Sequence, residues 1–159
     1  MIKVLKHNKI DKTRWDDCIN KSFNGNVYAL SWYLDIIHPE WDALVENNYE
    51  RVMPLTNSKK FGLSYMFQPF FAQQLGVYST SQLSQEDVER FINAIPKQYL
   101  LTQYRLNSYN KVDYDSEIIA KHRNVELDLI YDYQYLYNNY NNNTKRNLAK
   151  AEAAGLSIN

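Results

Sequence analysis

Two groups of side chains in the 159-residue chain have the types and spacing to bind a ligand. The first is the run Phe67-Gln68-Pro69-Phe70-Phe71-Ala72-Gln73-Gln74-Leu75-Gly76. Its glutamines supply amide donors and acceptors and its phenylalanines supply flat apolar walls, the ingredients of a neutral aromatic pocket for a polar acceptor. The run itself contains no cation to hold a phosphate and no carboxylate to act as a general base. The second group is Lys145, Arg146 and Lys150, at the start of a helix expected over 144–154. The unpaired N–H groups of a first helical turn and nearby cations together make an anion site, suited to a tRNA phosphate or a nucleotide diphosphate. Arg146 and Lys150 share one face at i, i+4. Such cations oppose the helix macrodipole by typically ~0.3–1 kcal/mol, and a solvated basic face is the alternative account of them. Trp32 lies off the apolar stripe Leu30, Tyr33, Leu34, Ile37 and so suits a groove, whereas Tyr33 lies on the stripe and suits the core.

Other chemistries find no support. Cys18 shares a helical face with Trp15 and Ile19 and reads as a small buried hydrophobe. His7, His38 and His122 have no serine or carboxylate at triad spacing, and no Gly-x-Ser-x-Gly elbow occurs. One cysteine and three scattered histidines form no zinc set. Asp113, Asp115 and Glu117 alternate in a polar loop and read as a solvated turn, since no calcium loop of recognised type surrounds them. Asp128 falls inside an otherwise apolar run, on the face that alternation assigns to solvent.

Composition sets the frame for these groups. With 18 basic and 18 acidic residues the chain is electrically neutral, which argues against holding nucleic acid by bulk electrostatics. Hydrophobic residues make up 45%, enough for one globular core of ordinary size. A single cysteine excludes an internal disulfide and suits a reducing, cytoplasmic setting. No apolar run approaches the ~20 residues of a membrane span. The opening segment carries Lys3, Lys6, His7 and Lys9, unlike a signal peptide. Fourteen tyrosines beside four glycines and four prolines give many amphipathic side chains and few breaks.

The elements that must position the two groups follow from periodicity. Ile2 and Val4 open a strand; Asp11 stands as N-cap of a helix bearing Trp15, Cys18 and Ile19; and a second helix over 28–37 must end before Pro39. Alternation at Trp41, Ala43 and Val45, then Val52, Met53 and Leu55, then Phe61, Leu63, Tyr65 and Phe67 predicts a three-stranded antiparallel meander, with polar turns at 46–50 and 57–60. Ser84 and Asp87 form a capping box ahead of the stripe Val88, Phe91, Ile92, Ile95, and Pro96 closes that helix. Strands are expected over 99–106 and 125–131, a helical turn over 133–137, and a last helix stopped at Gly155, where Leu156 would make the apolar contact that follows a left-handed cap. Residues 157–159 would begin a further strand, as if the next element were cut short. The sum is an α+β class with helices packed on a mostly antiparallel sheet.

Residues 144–155, Thr-Lys-Arg-Asn-Leu-Ala-Lys-Ala-Glu-Ala-Ala-Gly, resemble the Arg-x-x-x-x-Lys-Ala-x-x-x-Gly signature of the FemAB-type aminoacyltransferases. The aromatic segment 28–33 with Trp32 and the segment 65–76 also resemble, in position and order, the first half of that family's tandem pair. The resemblance implies a GNAT-like (acyl-CoA N-acyltransferase-like) domain over 1–140, with 141–159 forming a linking helix and the start of a second such domain. It implies enzymes that move an amino acid from aminoacyl-tRNA to an amine of a peptidoglycan precursor. As the N-terminal half, this chain would help bind the acceptor, through Trp32, Tyr65, Gln68, Phe70, Gln73 and Gln74, and would be inactive alone. No cofactor is implied for it, the donor being aminoacyl-tRNA or acyl-CoA in a complete enzyme. Acyltransferase folds also cradle the pyrophosphate of acetyl-CoA in this region. Here Gln73 to Tyr78 partly fits that cradle, but Tyr78 stands where a small residue is needed. Two further readings are a non-catalytic module that self-associates into a homodimer through its sheet edge, and an acetyl-CoA-dependent small-molecule N-acetyltransferase.

Overall fold

The computed structural model describes residues 1–113, 122–124 and 126–156. The chain forms two compact units, Met1–Ala120 and Lys121–Asn159.

In the first unit, β1 (Ile2–Leu5) leads into α1 (Lys12–Lys21) and α2 (Ser31–Ile37), followed by β2 (Asp42–Glu46) and β3 (Arg51–Leu55). Asp11 caps α1 by accepting from the Arg14 N–H at 3.1 Å. The first turn of α2 has no cap of its own. The Asp16 carboxylate of α1 serves instead, accepting from the Ser31 N–H at 2.7 Å and the Ser31 hydroxyl at 2.6 Å. The predicted α+β class with an antiparallel sheet is what the structure shows. β1, β2, β3 and the two-residue β6 (Tyr78–Ser79) lie side by side in that order, all pairs antiparallel.

The meander differs from expectation. Residues 57–60, expected as a turn, form β4 (Asn57–Lys60), which pairs with β5 (Leu63–Met66) in a separate two-stranded sheet. The strand beside β3 is therefore β6. Backbone hydrogen bonding decided this, since nothing apolar marks β4. All five positions of β2 are buried, so the sheet is covered on both faces. Ala43, Val45 and Val52 pack with Trp15, Cys18, Ile19 and Leu34 of α1 and α2. Leu44, Met53 and Leu55 pack on the other side with Val88 and Phe91 of α3 (Gln85–Asn93). The Ser84–Asp87 capping box opens α3 as expected. Cys18 is buried, and burial pushes its thiol pKa up.

Residues 99–106 do not form a strand. Two isolated parallel bridges, Met66 with Thr102 and Leu75 with Leu106, stand in place of a regular ladder. At the β6 edge two asparagine side chains stand where a strand would. Asn110 accepts from the Val77 N–H at 2.7 Å and donates to the Val77 carbonyl at 3.0 Å. Asn24 donates to the same carbonyl at 2.8 Å and accepts from the Ser79 N–H at 3.4 Å. Both asparagines are buried.

The second unit carries α4 (Tyr133–Asn139) and α5 (Asn142–Ala153), longer than the helices expected there. Asn141 caps α5 by accepting from the Thr144 N–H at 2.9 Å. Gly155, at φ +70°, closes it: the Leu156 N–H reaches the Ala151 carbonyl and the Gly155 N–H the Glu152 carbonyl. Leu156 is itself largely exposed. Residues 126–131 form no strand. Val125 and 157–159, on which the remaining strand expectations fall, lie outside the described residues, as do Asp115 and Glu117. No helix among the described residues is long and apolar enough to cross a membrane.

Candidate functional site

The segment 67–76 bends around an open depression of about 610 Å³, lined by its own residues and by Tyr28, Gln103 and Arg105. The loop is held from both sides. The Tyr33 hydroxyl donates to the Phe71 carbonyl at 2.7 Å, and the Tyr33 ring packs edge-on between those of Tyr28 and Trp32. Opposite, Met66 and Leu75 take part in the bridges to 102 and 106, so the loop spans the gap between them. Gln68 fills that gap: its Oε1 accepts from the Arg105 N–H at 3.1 Å and its Nε2 donates to the Ala72 carbonyl at 2.9 Å. Phe71 is held at φ +70°, a conformation that bulky residues seldom adopt.

The expected contact residues separate accordingly. Gln68, Phe70 and Gln73 line the depression, whereas Trp32, Tyr65 and Gln74 do not. Gln68 is a strut of the loop as much as a contact, because both ends of its amide are used. Phe70 is exposed and available to a ligand. Tyr65 packs against Phe67, with ring centroids 5.7 Å apart, and supports the wall from behind. Trp32, half exposed, stands beside Tyr33.

Arg105, Gln103 and Tyr28 were not foreseen. The loop's own sequence holds no cation, and the structure corrects that picture by bringing Arg105 to it from farther along the chain. Its guanidinium has no ion pair among the described residues, and no carboxylate lines the depression. A signal existed: Gln103 and Arg105 are two apart, and alternation puts them on one face, opposite Tyr104. Tyr104 points inward and donates to the Pro54 carbonyl at 2.7 Å; burial pushes its hydroxyl pKa well up.

Residues 73–78, which match an acetyl-CoA cradle only in part and carry Tyr78 against it, do not form one. A cradle needs backbone N–H groups turned outward toward phosphate. Here the Leu75 N–H donates to the Arg105 carbonyl at 2.9 Å, and those of Val77 and Ser79 donate to Asn110 and Asn24. Tyr78 is fully buried in β6, bonded to Asn26, and desolvation raises its hydroxyl pKa.

The basic group on α5 is engaged within its own unit. Lys145 donates to the Asn138 carbonyl at 2.9 Å and lies 5.5 Å from the Tyr137 ring centroid, and Arg146 donates to Asn143 at 2.7 Å. Because α5 starts at Asn142, both cations fall beyond its first three residues, where the macrodipole opposes them little. Lys150 is exposed. Among the described residues no cluster of His, Cys, Asp or Glu could hold a metal ion. His122, Asp113 and Asp128 are exposed.

The depression thus offers one guanidinium, several amides and flat aromatic walls. Such groups can pair with an anion and pack against flat or apolar surfaces. Comparison with family models, with curated proteins and with solved structures returns no match.

Proposed function

We propose that this chain is the acceptor-binding half of a FemAB-like acyl- or aminoacyltransferase with a GNAT-like sheet. The acceptor in this reading is an amine carried on a peptidoglycan-precursor-like molecule. The observation that supports it most is the juxtaposition of Arg105 with the amides and aromatic rings of 67–73 around a depression free of carboxylates. A guanidinium fork pairs with a carboxylate or phosphate of such a precursor, and flat rings pack on its sugar or peptide. The succession of strand, two helices and antiparallel strands is also compatible with the opening of an acyltransferase fold. The transfer itself is attack of an amine on an activated ester, with loss of the donor's hydroxyl or thiol. Orientation and an oxyanion donor serve that step better than a nucleophile of the enzyme. A site that only binds is therefore sufficient for this half.

The test is calorimetric titration of the full chain with a nucleotide-linked muramyl pentapeptide. Saturable binding is expected, weakened about tenfold or more by Arg105→Ala through loss of a charge-assisted pair. Absence of binding, or equal binding by Arg105→Ala, would overturn the reading.

Self-association through the sheet edge finds less support. β1 is the outer strand, four residues long, and carries Lys3, features that discourage strand addition. The chain is accordingly expected to sediment as a monomer; a tight dimer would favour the interaction-module reading.

A further inference from the structure

Acidic residues are unevenly placed. No Asp or Glu occurs between Glu50 and Glu86, nor between Glu89 and Asp113. The two segments so defined meet in space: the Leu100 N–H donates to the Ser64 carbonyl at 3.0 Å, and the Leu101 carbonyl accepts from the Met66 N–H at 2.9 Å. At their junction the β4–β5 turn exposes Phe61 at 91% and Leu63 at 56%, while Leu100 and Leu101 are 71% and 63% exposed. Lys59 and Lys97 belong to the same two segments. The turn is a two-residue loop with both residues left-handed, Phe61 at φ +51° and Gly62 at φ +77°. Such loops favour Asn-Gly, so a phenylalanine at the first position is held there against backbone preference. Nothing lies within 4 Å of a Cβ built on Gly62, so that position of the turn faces open space.

We propose that this tip, Phe61 and Leu63 with the adjoining Leu100 and Leu101, docks the chain on an anionic phospholipid surface. A protruding apolar tip needs a soft, deformable medium, whereas a protein partner would need a socket shaped to it. Leucines do not stack on bases, which disfavours nucleic acid. The absence of carboxylates from both segments removes repulsion from anionic headgroups, and the lysines add attraction. Phenylalanine and leucine are side chains that enter the boundary between headgroup and acyl chain. This inference is independent of the acceptor-binding reading.

The full chain should co-sediment with vesicles of phosphatidylglycerol and phosphatidylcholine, and much less with phosphatidylcholine alone. The double variant Phe61→Ser, Leu63→Ser is expected to lower the vesicle-bound partition by roughly tenfold or more while melting like the parent. Lys59→Glu with Lys97→Glu is expected to weaken binding to the anionic vesicles only. Phe61→Trp provides a direct probe: the indole it adds at the tip, read as the difference in emission between variant and parent, should move to shorter wavelength when anionic vesicles are added. No co-sedimentation, undiminished binding by the serine variant, or a difference emission that vesicles leave unmoved would overturn the proposal. So would a difference emission that responds to single-stranded RNA or to protein concentration instead, which would assign the tip to nucleic acid or to a second copy.

Discussion

Asn110→Ala is expected to lower the stability of the chain by about 2–4 kcal/mol and its melting temperature by roughly 5–12 °C. Asn110 is buried and gives both ends of its amide to the backbone of Val77. The Val77 carbonyl keeps the Asn24 amide when Asn110 is truncated, but the Val77 N–H is left buried without an acceptor. Gly76 is tied to the same side chain. At φ +123° it occupies backbone space that other residues rarely enter, and a Cβ there would collide with the Asn110 Oδ1. Gly76→Ala should therefore destabilise on its own. In the Gly76→Ala, Asn110→Ala pair the loss should fall short of the sum, because the collision with Asn110 has gone and backbone strain with a close approach to Asn107 Nδ2 remains. Urea unfolding followed by circular dichroism gives all four values of this cycle. A loss under about 0.5 kcal/mol for Asn110→Ala would show that the β6 edge finds other partners.

Acid should unfold the first unit through Glu46. Its side chain is 6% exposed and is held by Arg90 at 2.7 Å and Arg51 at 2.8 Å. The hydrogen bond from Arg90, reinforced by Arg51, keeps the Glu46 carboxyl below its ordinary value of 4.5. Asp87 completes the group: burial pushes its pKa up, but hydrogen bonds from Arg90 and Ser84 outweigh this and hold it below 3.8. Groups with depressed folded pKa values stabilise the fold fully above their unfolded values. That contribution fades as pH falls below about 4.5 and through the folded values, where the native state must take up protons. Glu46→Ala is expected to cost about 2–3 kcal/mol at neutral pH, since it leaves two guanidiniums against a buried site. Glu46→Gln should start from lower stability and flatten the decline between about pH 6 and pH 3. Stability measured against pH for parent and variant checks this; parallel curves would place the acid sensitivity elsewhere.

The sequence was most informative where the determining interaction is local. Asp11, Ser84 and Gly155 punctuate helices through bonds that close within a few residues, and each stands at the end it was expected to mark. β2 was legible as a strand but not in its setting: alternation at Ala43 and Val45 suggests one buried face, whereas Leu44 is equally buried by α3 from the other side. β4 is polar and pairs only through its backbone, so no periodicity announces it. The site was half visible. Its loop could be picked out by its aromatic and amide content, but Arg105 and Tyr28 come to it from distant parts of the chain, Arg105 through the Gln68 strut and Tyr28 beside Tyr33, whose hydroxyl holds the loop. Spacing could place Gln103 and Arg105 on one face, but not show that this face meets the loop.

The asparagine that braces β6 from the other side also bears on the chain's chemical lifetime. Asn24 precedes Gly25, and a side-chain amide followed by glycine is prone to deamidation, because the next backbone nitrogen can attack it unhindered by a side chain. In the folded chain both reactants are occupied: the Asn24 amide donates to Val77, and the Gly25 N–H donates to the Ser22 carbonyl at 3.1 Å. Neither residue is easily exchanged. A Cβ on Gly25 would collide with the Ile19 carbonyl oxygen, and replacing Asn24 by an apolar residue would remove the acceptor of the Ser79 N–H and one of the two donors to the Val77 carbonyl. Folding thus shields a bond that the unfolded chain exposes, and every excursion out of the native state carries a chance of turning a donor that the sheet needs into a carboxylate. For this chain, conformational stability and resistance to ageing are one property.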